Sequence, residues 1–234
     1  MKSLLTVLCI LMLSTVAFAA KPVIESNGAD LSRIACPFEV TTYDWDFNTG
    51  DHGFMPTVCD DTGGAPVWAY GMDTNFPGMN LWATVLDGDY PTDSGEALVS
   101  PSFMVDTSTN LVQIVHYFDT EFSYDGMNLM VGDVVVPPME GYSDDELSDS
   151  TSYYAFCVDG QPGFSGHDLD EWVMITSCFD LAEFEGQEVA LELQFGSDSS
   201  IQYPGWYLAS IVVGGTQPVG NENSSWSSLK ALYR

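Results

Sequence analysis

Asp119, Glu121 and Asp125, three acids crowded into one short stretch of chain, are the best candidates for a cation site. Calcium takes about six to eight oxygen ligands from carboxylates, carbonyls and water, and a loop dense in acids can wrap around such an ion. Asp119 and Glu121 share one face if the strand before them continues, and Asp125-Gly126 turns the chain back. Asp198, near the end of a later strand, and Asp46, near the start of the domain, are the acids that would complete the shell. A solvated acidic loop is the alternative, because a chain with 34 Asp and Glu forms clusters by chance. Asp144-Asp145-Glu146 lacks the ligand spacing and central glycine of an EF-hand.

Other chemistries are less well supplied. Ser165, in Gly163-Phe164-Ser165-Gly166-His167, echoes a nucleophile elbow, but the second glycine is displaced and no strand–elbow–helix context surrounds it. His116 lies in an apolar strand, where a hydrogen-bonded core histidine is expected, and no His-Glu-x-x-His string offers a zinc site. A glycosidase pair is set by the separation of two carboxylates, which the sequence does not give. Among the aromatics, Trp82 and Trp206 read as core, whereas Tyr142, Tyr153 and Tyr154 sit in or beside a long acidic loop. Those three tyrosines are the candidates for an exposed, ligand-contacting patch.

The chain must carry these residues outside the cell. Lys2, the apolar run from Leu4 to Val16 and the small residues Ala17 and Ala19 read as a signal peptide over 1–19, with Cys9 discarded inside it. A leader segment over 20–35 follows, then a domain over 36–215 and a linker and tail over 216–234. No transmembrane segment is expected in the mature chain. Cys36, Cys59, Cys157 and Cys178 remain, an even number that suggests two disulfides. Three pairings are possible, and Cys36–Cys59 with Cys157–Cys178 closes the shortest loops.

Charge narrows the partners further. Lys and Arg total 5 against 34 Asp and Glu, a net charge of −29, with no Lys or Arg between Arg33 and Lys230. Nucleic acid is excluded as a partner and an anionic membrane surface is disfavoured. Cations, basic proteins and neutral sugars remain, alongside the simpler reading of acidity as a solubilising surface.

The elements that position these residues read as strands and turns. Leu111–Phe118 places Val112, Ile114 and His116 on one face. Asn128–Val131 and Val134–Val136 flank a Gly132-Asp133 hairpin turn. Val189, Leu191, Leu193 and Phe195 alternate with polar neighbours, and Tyr207–Val213 is a last apolar strand. Asp180–Glu185 has room for one helical turn before Gly186, and 137–170 reads as a long loop. Short strands with regular turn signals predict an all-β, antiparallel β-sandwich in a single domain. In the tail, Trp226, Leu229 and Tyr233 have the spacing of a short amphipathic helix, with Lys230 and Arg234 as its cations.

An ordered set of strings carries a resemblance. Leu81-Trp82-Ala83-Thr84, Leu86-Asp87-Gly88-Asp89-Tyr90, Leu98-Val99-Ser100-Pro101 and His116-Tyr117-Phe118-Asp119-Thr120-Glu121 come first. Phe195-Gly196-Ser197-Asp198 and Pro204-Gly205-Trp206-Tyr207 follow. Together they resemble the MAM-like jelly-roll modules that accompany secreted immune-inhibitor-A-type metallopeptidases and many bacterial surface proteins, over about Tyr43 to Val213. The resemblance implies a jelly roll, an accessory and non-catalytic role, and calcium in the loops, with Asp119, Glu121 and Asp125 foremost. Leu208-Ala209-Ser210 departs from the acidic pair that family members carry after the Gly-Trp-Tyr string. The expected function is therefore a secreted, non-enzymatic adhesion module that binds an extracellular protein or glycan, with structural calcium. The alternative is a purely structural surface or matrix component sorted or anchored by its tail.

Overall fold

Alternating apolar residues of high β propensity, broken every few residues by Gly, Asp, Asn and Pro, fold into strands because each strand can bury one face at a time. A computed structural model describes residues 36–58, 67–150, 153–154, 156–166 and 172–216. The signal peptide and leader assigned to 1–35, Cys59, and the tail from 217 onward lie outside the described residues.

The first sheet contains β1 (Val40–Asp46), β3 (Ala69–Met72), β4 (Asn80–Ala83), β7 (Leu111–Asp119), β12 (Ile175–Asp180) and β15 (Gly205–Gly215). Its order is β12-β7-β15-β4-β3, with β1 also pairing β15. The second contains β2 (Met55–Val58), β5 (Gly95–Val99), β8 (Gly126–Val131), β9 (Val134–Val136) and β14 (Glu192–Gly196), in the order β2-β5-β14-β8-β9. Two short ladders, β6 (Phe103–Met104) with β13 (Glu188–Val189) and β10 (Asp149–Ser150) with β11 (Tyr153–Tyr154), lie outside them. The described strand pairs are antiparallel. Successive strands pass repeatedly from one sheet to the other, as in a jelly roll, and the fold is an antiparallel β-sandwich.

One core fills the space between the sheets. Val112, Ile114 and Phe118 from β7 and Trp206, Leu208, Ile211 and Val213 from β15 join Leu98, Met127, Leu129, Leu193 and Phe195 from the second sheet. The apolar positions of β15 switch from even to odd numbers along the strand. A bulge between Leu208 and Ser210 makes that possible, because one extra residue restores the inward phase. Trp82 and Trp206 are buried there, as expected, and Trp68 joins them. A second apolar cluster covers part of the first sheet's outer face. It contains Phe76, Leu81, Tyr117 and Tyr207, with Trp172 stacked on Tyr117 at 4.7 Å.

The predicted strands appear with shifted ends. Leu111–Asp119 and the β8–β9 hairpin form as expected, with Gly132 at φ +60°. The run from Val189 to Phe195 divides between β13 and β14, although Val189, Leu191, Leu193 and Phe195 are all buried. The helical turn near Asp180 is a 3-10 turn, Ala182–Phe184, and Gly186 follows at φ +83°.

The pairing of the cysteines is corrected by the structure. Cys36 bonds Cys178 across 142 residues of sequence, with Cα atoms 5.5 Å apart. Short-loop closure is overruled by sheet order: Cys178 on β12 lies opposite Gln113 of β7, whose side-chain Oε1 accepts from the Cys36 N–H. Cys157 is also disulfide-bonded, so neither Cys36–Cys59 nor Cys157–Cys178 forms. A crosslink that closes so long a loop removes much chain entropy from the unfolded state. Non-reducing peptide mapping should recover Cys36 joined to Cys178. The Cys36→Ala/Cys178→Ala variant should lose about 2–5 kcal/mol in urea unfolding; an unchanged midpoint would show that the bridge does not tie the domain together.

Candidate functional site at the crossover loops

Three loops cross between the sheets at one end of the sandwich, and strand order decides which of them touch. β4, β15 and β7 are neighbours in the first sheet; β5, β14 and β8 are neighbours in the second. The crossovers 84–94, 197–204 and 120–125 therefore stack in that order, with 197–204 in the middle. The register brackets the last two: Asp119 faces Gly205 at one margin, and Gly126 faces Gly196 at the other. Gly205, at φ +91°, allows the closest approach, because a Cβ there would lie 2.1 Å from Thr84 Oγ1.

The loops are held by hydrogen bonds within themselves and to neighbouring segments. In 120–125 the Asp125 N–H donates to the Glu121 carbonyl at 3.0 Å, and Ser123 takes φ +65°. The Ser165 hydroxyl accepts from the Ser123 N–H at 2.8 Å and donates to the Asp125 carbonyl at 2.7 Å. Ser165, the elbow-like serine, is a buried brace for this loop. The middle loop is tied to 84–94 by Asp93 N–H to the Asp198 carbonyl at 2.7 Å and Tyr90 N–H to the Tyr203 carbonyl at 3.0 Å.

This arrangement brings Glu121, Asp125 and Asp198 together, with one oxygen from each within 4.8 Å of the others. Asp125 is fully buried. Its Oδ2 accepts from the Tyr90 hydroxyl at 2.6 Å, and its Oδ1 from the Asp198 N–H at 2.7 Å. The Ser200 N–H and hydroxyl both donate to Asp198 Oδ1, at 2.7 and 3.1 Å. Asp198 is also fully buried, and its Oδ2 has no hydrogen-bond partner. Burial, opposed by its hydrogen bonds and reinforced by the two neighbouring carboxylates, pushes Asp125 up to about 7. Burial and then the charge of Asp198 raise Glu121, while burial and the Asp125 charge raise the Tyr90 hydroxyl.

The other candidate ligands lie elsewhere. Asp119 closes β7, buried opposite Gly205, and stands outside the three-carboxylate group. The strand ends there, so Asp119 and Glu121 do not continue along one face. Asp46 is exposed at the end of β1, where its Oδ1 accepts from the Asn48 N–H. Of the tyrosines proposed for a ligand patch, Tyr142 is spent on the fold. Its hydroxyl accepts from the Leu129 N–H and donates to the Val136 carbonyl, at 3.0 and 2.7 Å, while its ring meets Phe164 edge-on. Tyr153 and Tyr154 form β11, paired with β10, and their side chains lie outside the described residues. Sequence reasoning quoted Tyr90 only as the end of the Leu86-Asp87-Gly88-Asp89-Tyr90 string and missed its role, in which its hydroxyl links Asp125 to the Glu121 N–H.

His116 is occupied in the core. Trp206 Nε1–H donates to its Nδ1 at 2.9 Å, so the proton sits on Nε2 and meets the Ser177 hydroxyl at 3.1 Å. Burial lowers its pKa to about 3. Among the described residues, no helix is long and apolar enough to cross a membrane.

These shifts set the pH dependence in chelator. Asp125 titrates higher in the fold than its ordinary 3.8. Its stabilising contribution is complete below that value and is lost as pH rises through about 7. Glu96, which burial also pushes up to about 7, acts in the same sense. His116 acts oppositely: its contribution is present above 6.5 and fades as pH falls toward about 3. The thermal midpoint of the calcium-free protein should therefore peak in the mildly acid range and decline toward pH 8. Asp125→Asn should reduce the decline on the alkaline side; a slope identical to the parent's would remove Asp125 as its source.

No family model matches the chain, and no curated protein matches it. Solved structures similar to it include the K1 and K3 cleaved adhesin domains of Lys-gingipain from Porphyromonas gingivalis W83. Each is 11% identical with a TM-score of 0.42; K1 covers 75% of this chain and 98% of its own, K3 76% and 99%. The K2 adhesin domain of Lys-gingipain is 13% identical with a TM-score of 0.40, covering 73% and 98%. The functional reading rests on the geometry of the crossover loops.

Proposed function

We propose that this chain is an exported, non-catalytic binding module whose crossover loops are organised by calcium. The observation that carries the calcium reading is Asp198, a wholly buried carboxylate with an unpartnered Oδ2 beside two further carboxylates. A carboxylate oxygen buried without a donor costs on the order of a few kcal/mol unless a cation meets it. No Lys or Arg lies between Arg33 and Lys230 to do so. Oxygens on opposite sides of a calcium ion stand about 5 Å apart, and the three acids fit that span. Glu121, Asp125 and Asp198 would hold the ion, which would neutralise their mutual repulsion and fix two loops to each other; carbonyls and water would supply the remaining ligands.

A role in binding rather than catalysis is supported by how the reactive side chains are spent. Asp125 has both oxygens engaged beneath the surface and presents no proton to a substrate. Ser165 braces a loop, and His116 is a neutral core residue. Disulfides at Cys36–Cys178 and at Cys157 support an oxidising, extracellular setting. The partner is then an extracellular protein or glycan.

The test is the thermal midpoint of the oxidised protein with millimolar calcium, with magnesium and with chelator at fixed ionic strength. Calcium alone should raise it by several degrees through mass action, more at pH 8 than at pH 5.5 because protons compete for Asp125. Glu121→Gln, Asp125→Asn and Asp198→Asn should each abolish the shift. Equal midpoints in all three solutions would overturn the calcium reading and leave the acidity as a solubility device.

A further inference from the structure

Exposed apolar side chains gather on the same two loops that supply the acids. Phe122 and Tyr124 are 52% and 39% exposed in 120–125, and Ile201 and Tyr203 are 54% and 37% exposed in 197–204. These are four of the twelve large apolar side chains described as exposed, concentrated in two adjacent crossovers. Phe122 is not simply loose: its ring lies over Gly166, where an added Cβ would come within 2.9 Å of it. Apolar groups displayed together on a domain end, rather than singly, mark an interaction surface.

The surroundings of this patch define what fits it. The third crossover exposes Asp87, Asp89 and Asp93, and the partly exposed Glu121 lies among the apolar side chains. From residue 36 to 216 the chain contains no Lys or Arg, so any cation in an interface here comes from the partner. An apolar patch rimmed by carboxylates complements a segment with aliphatic or aromatic residues on one side and Lys or Arg on the other. Neutral sugars would leave the rim carboxylates without counter-charge, and anionic surfaces would be repelled.

We propose that the crossover end is a calcium-dependent docking surface for a cationic, amphipathic protein segment. The proposal rests on the calcium reading given above. Phe122 and Tyr124 belong to one loop, Ile201 and Tyr203 to the next, and the acids Glu121, Asp125 and Asp198 join them side to side. Without the ion the acids repel, and that repulsion loosens two halves of the patch that are otherwise joined by the Asp198 N–H bond to Asp125 and the Ser200 hydroxyl bond to Glu121. With it, the loops are clamped and all four side chains are presented together. A ligand that binds the clamped state better must in turn raise the affinity for calcium, by linkage.

The experiment measures fluorescence anisotropy of a short dye-labelled peptide of Lys, Leu and Trp with its cationic and apolar faces segregated. It is run with the full oxidised protein in calcium and in chelator at one ionic strength. Affinity should be at least about tenfold higher in calcium. It should fall by about that factor in Phe122→Ser/Ile201→Ser, a variant expected to keep the calcium-induced thermal shift. Equal affinity with and without calcium, in protein whose thermal shift is intact, overturns the docking proposal alone. Loss of the shift in the parent protein overturns the calcium reading and the gating with it. Equal binding of a scrambled peptide reduces the interaction to general charge attraction and also overturns the proposal, as does binding of neutral oligosaccharides at the loops in place of the peptide.

Discussion

Carboxylates are kept inside a domain that has no cationic side chains of its own beyond histidine, and that constraint shapes its loops. From residue 36 to 216 neither Lys nor Arg occurs, yet Asp73, Glu96, Asp125 and Asp198 are all buried. Backbone N–H groups do the work that ion pairs do elsewhere. Glu96 Oε2 accepts from the Val67 and Trp68 N–H groups, while Oε1 accepts from the Ser94 hydroxyl. Asp73 accepts from the Asn75 and Asp87 N–H groups, at 2.8 and 2.7 Å, and Asp87 returns a bond from Thr74. Each such bond also fixes a loop, so the acids act as staples as well as charges. The supply of donors runs out at Asp198 Oδ2, where the cluster is tightest and an external cation has most to offer.

Much of the fold was legible from alternation and turn residues, because burial of one strand face is a local requirement. The limits were equally physical. Tyr117 points away from the sandwich core and yet is buried, because loop residues such as Phe76 and Trp172 cover that outer face. Two-residue periodicity cannot report a cover that comes from distant loops. The bulge in β15 is visible afterwards as a change of phase between Leu208 and Ile211, but an unaligned apolar run does not announce it. Cys36 found Cys178 because sheet order, a non-local property, set the strap against β12.

The candidate site shows the same division. Glu121 and Asp125 are close in sequence and one turn brings them together, so local reading reached them. Asp119 is equally near in sequence but belongs to the strand rather than the turn, and strand geometry holds it apart from the group. Asp198 was within reach as an acid at a strand end, whereas Asp46 looked similar and serves only its own turn. The roles of Tyr90 and Ser165 were beyond local reading, since Tyr90 links the crossover 84–94 to 120–125 and Ser165 braces 120–125 from a segment distant in sequence.

Topology explains why such a group forms at this end. β7 pairs β15 in one sheet while β8 pairs β14 in the other, so the β7–β8 and β14–β15 connections must run side by side, antiparallel, across the gap between the sheets. Asp125 and Asp198 meet because they flank the paired Gly126 and Gly196 at the second sheet's margin. The flanking crossover 84–94 covers the start of the middle one, where the Asp93 N–H donates to the Asp198 carbonyl, so Asp198 is buried while Glu121 retains access and Ile201 and Tyr203 stay exposed. An ion held there would join neither sheet internally, since the ladders already do so. It would fasten the passage of the chain from one sheet to the other, where the Asp198 N–H bond to Asp125 and the Ser200 hydroxyl bond to Glu121 already join the two connections through these same acids.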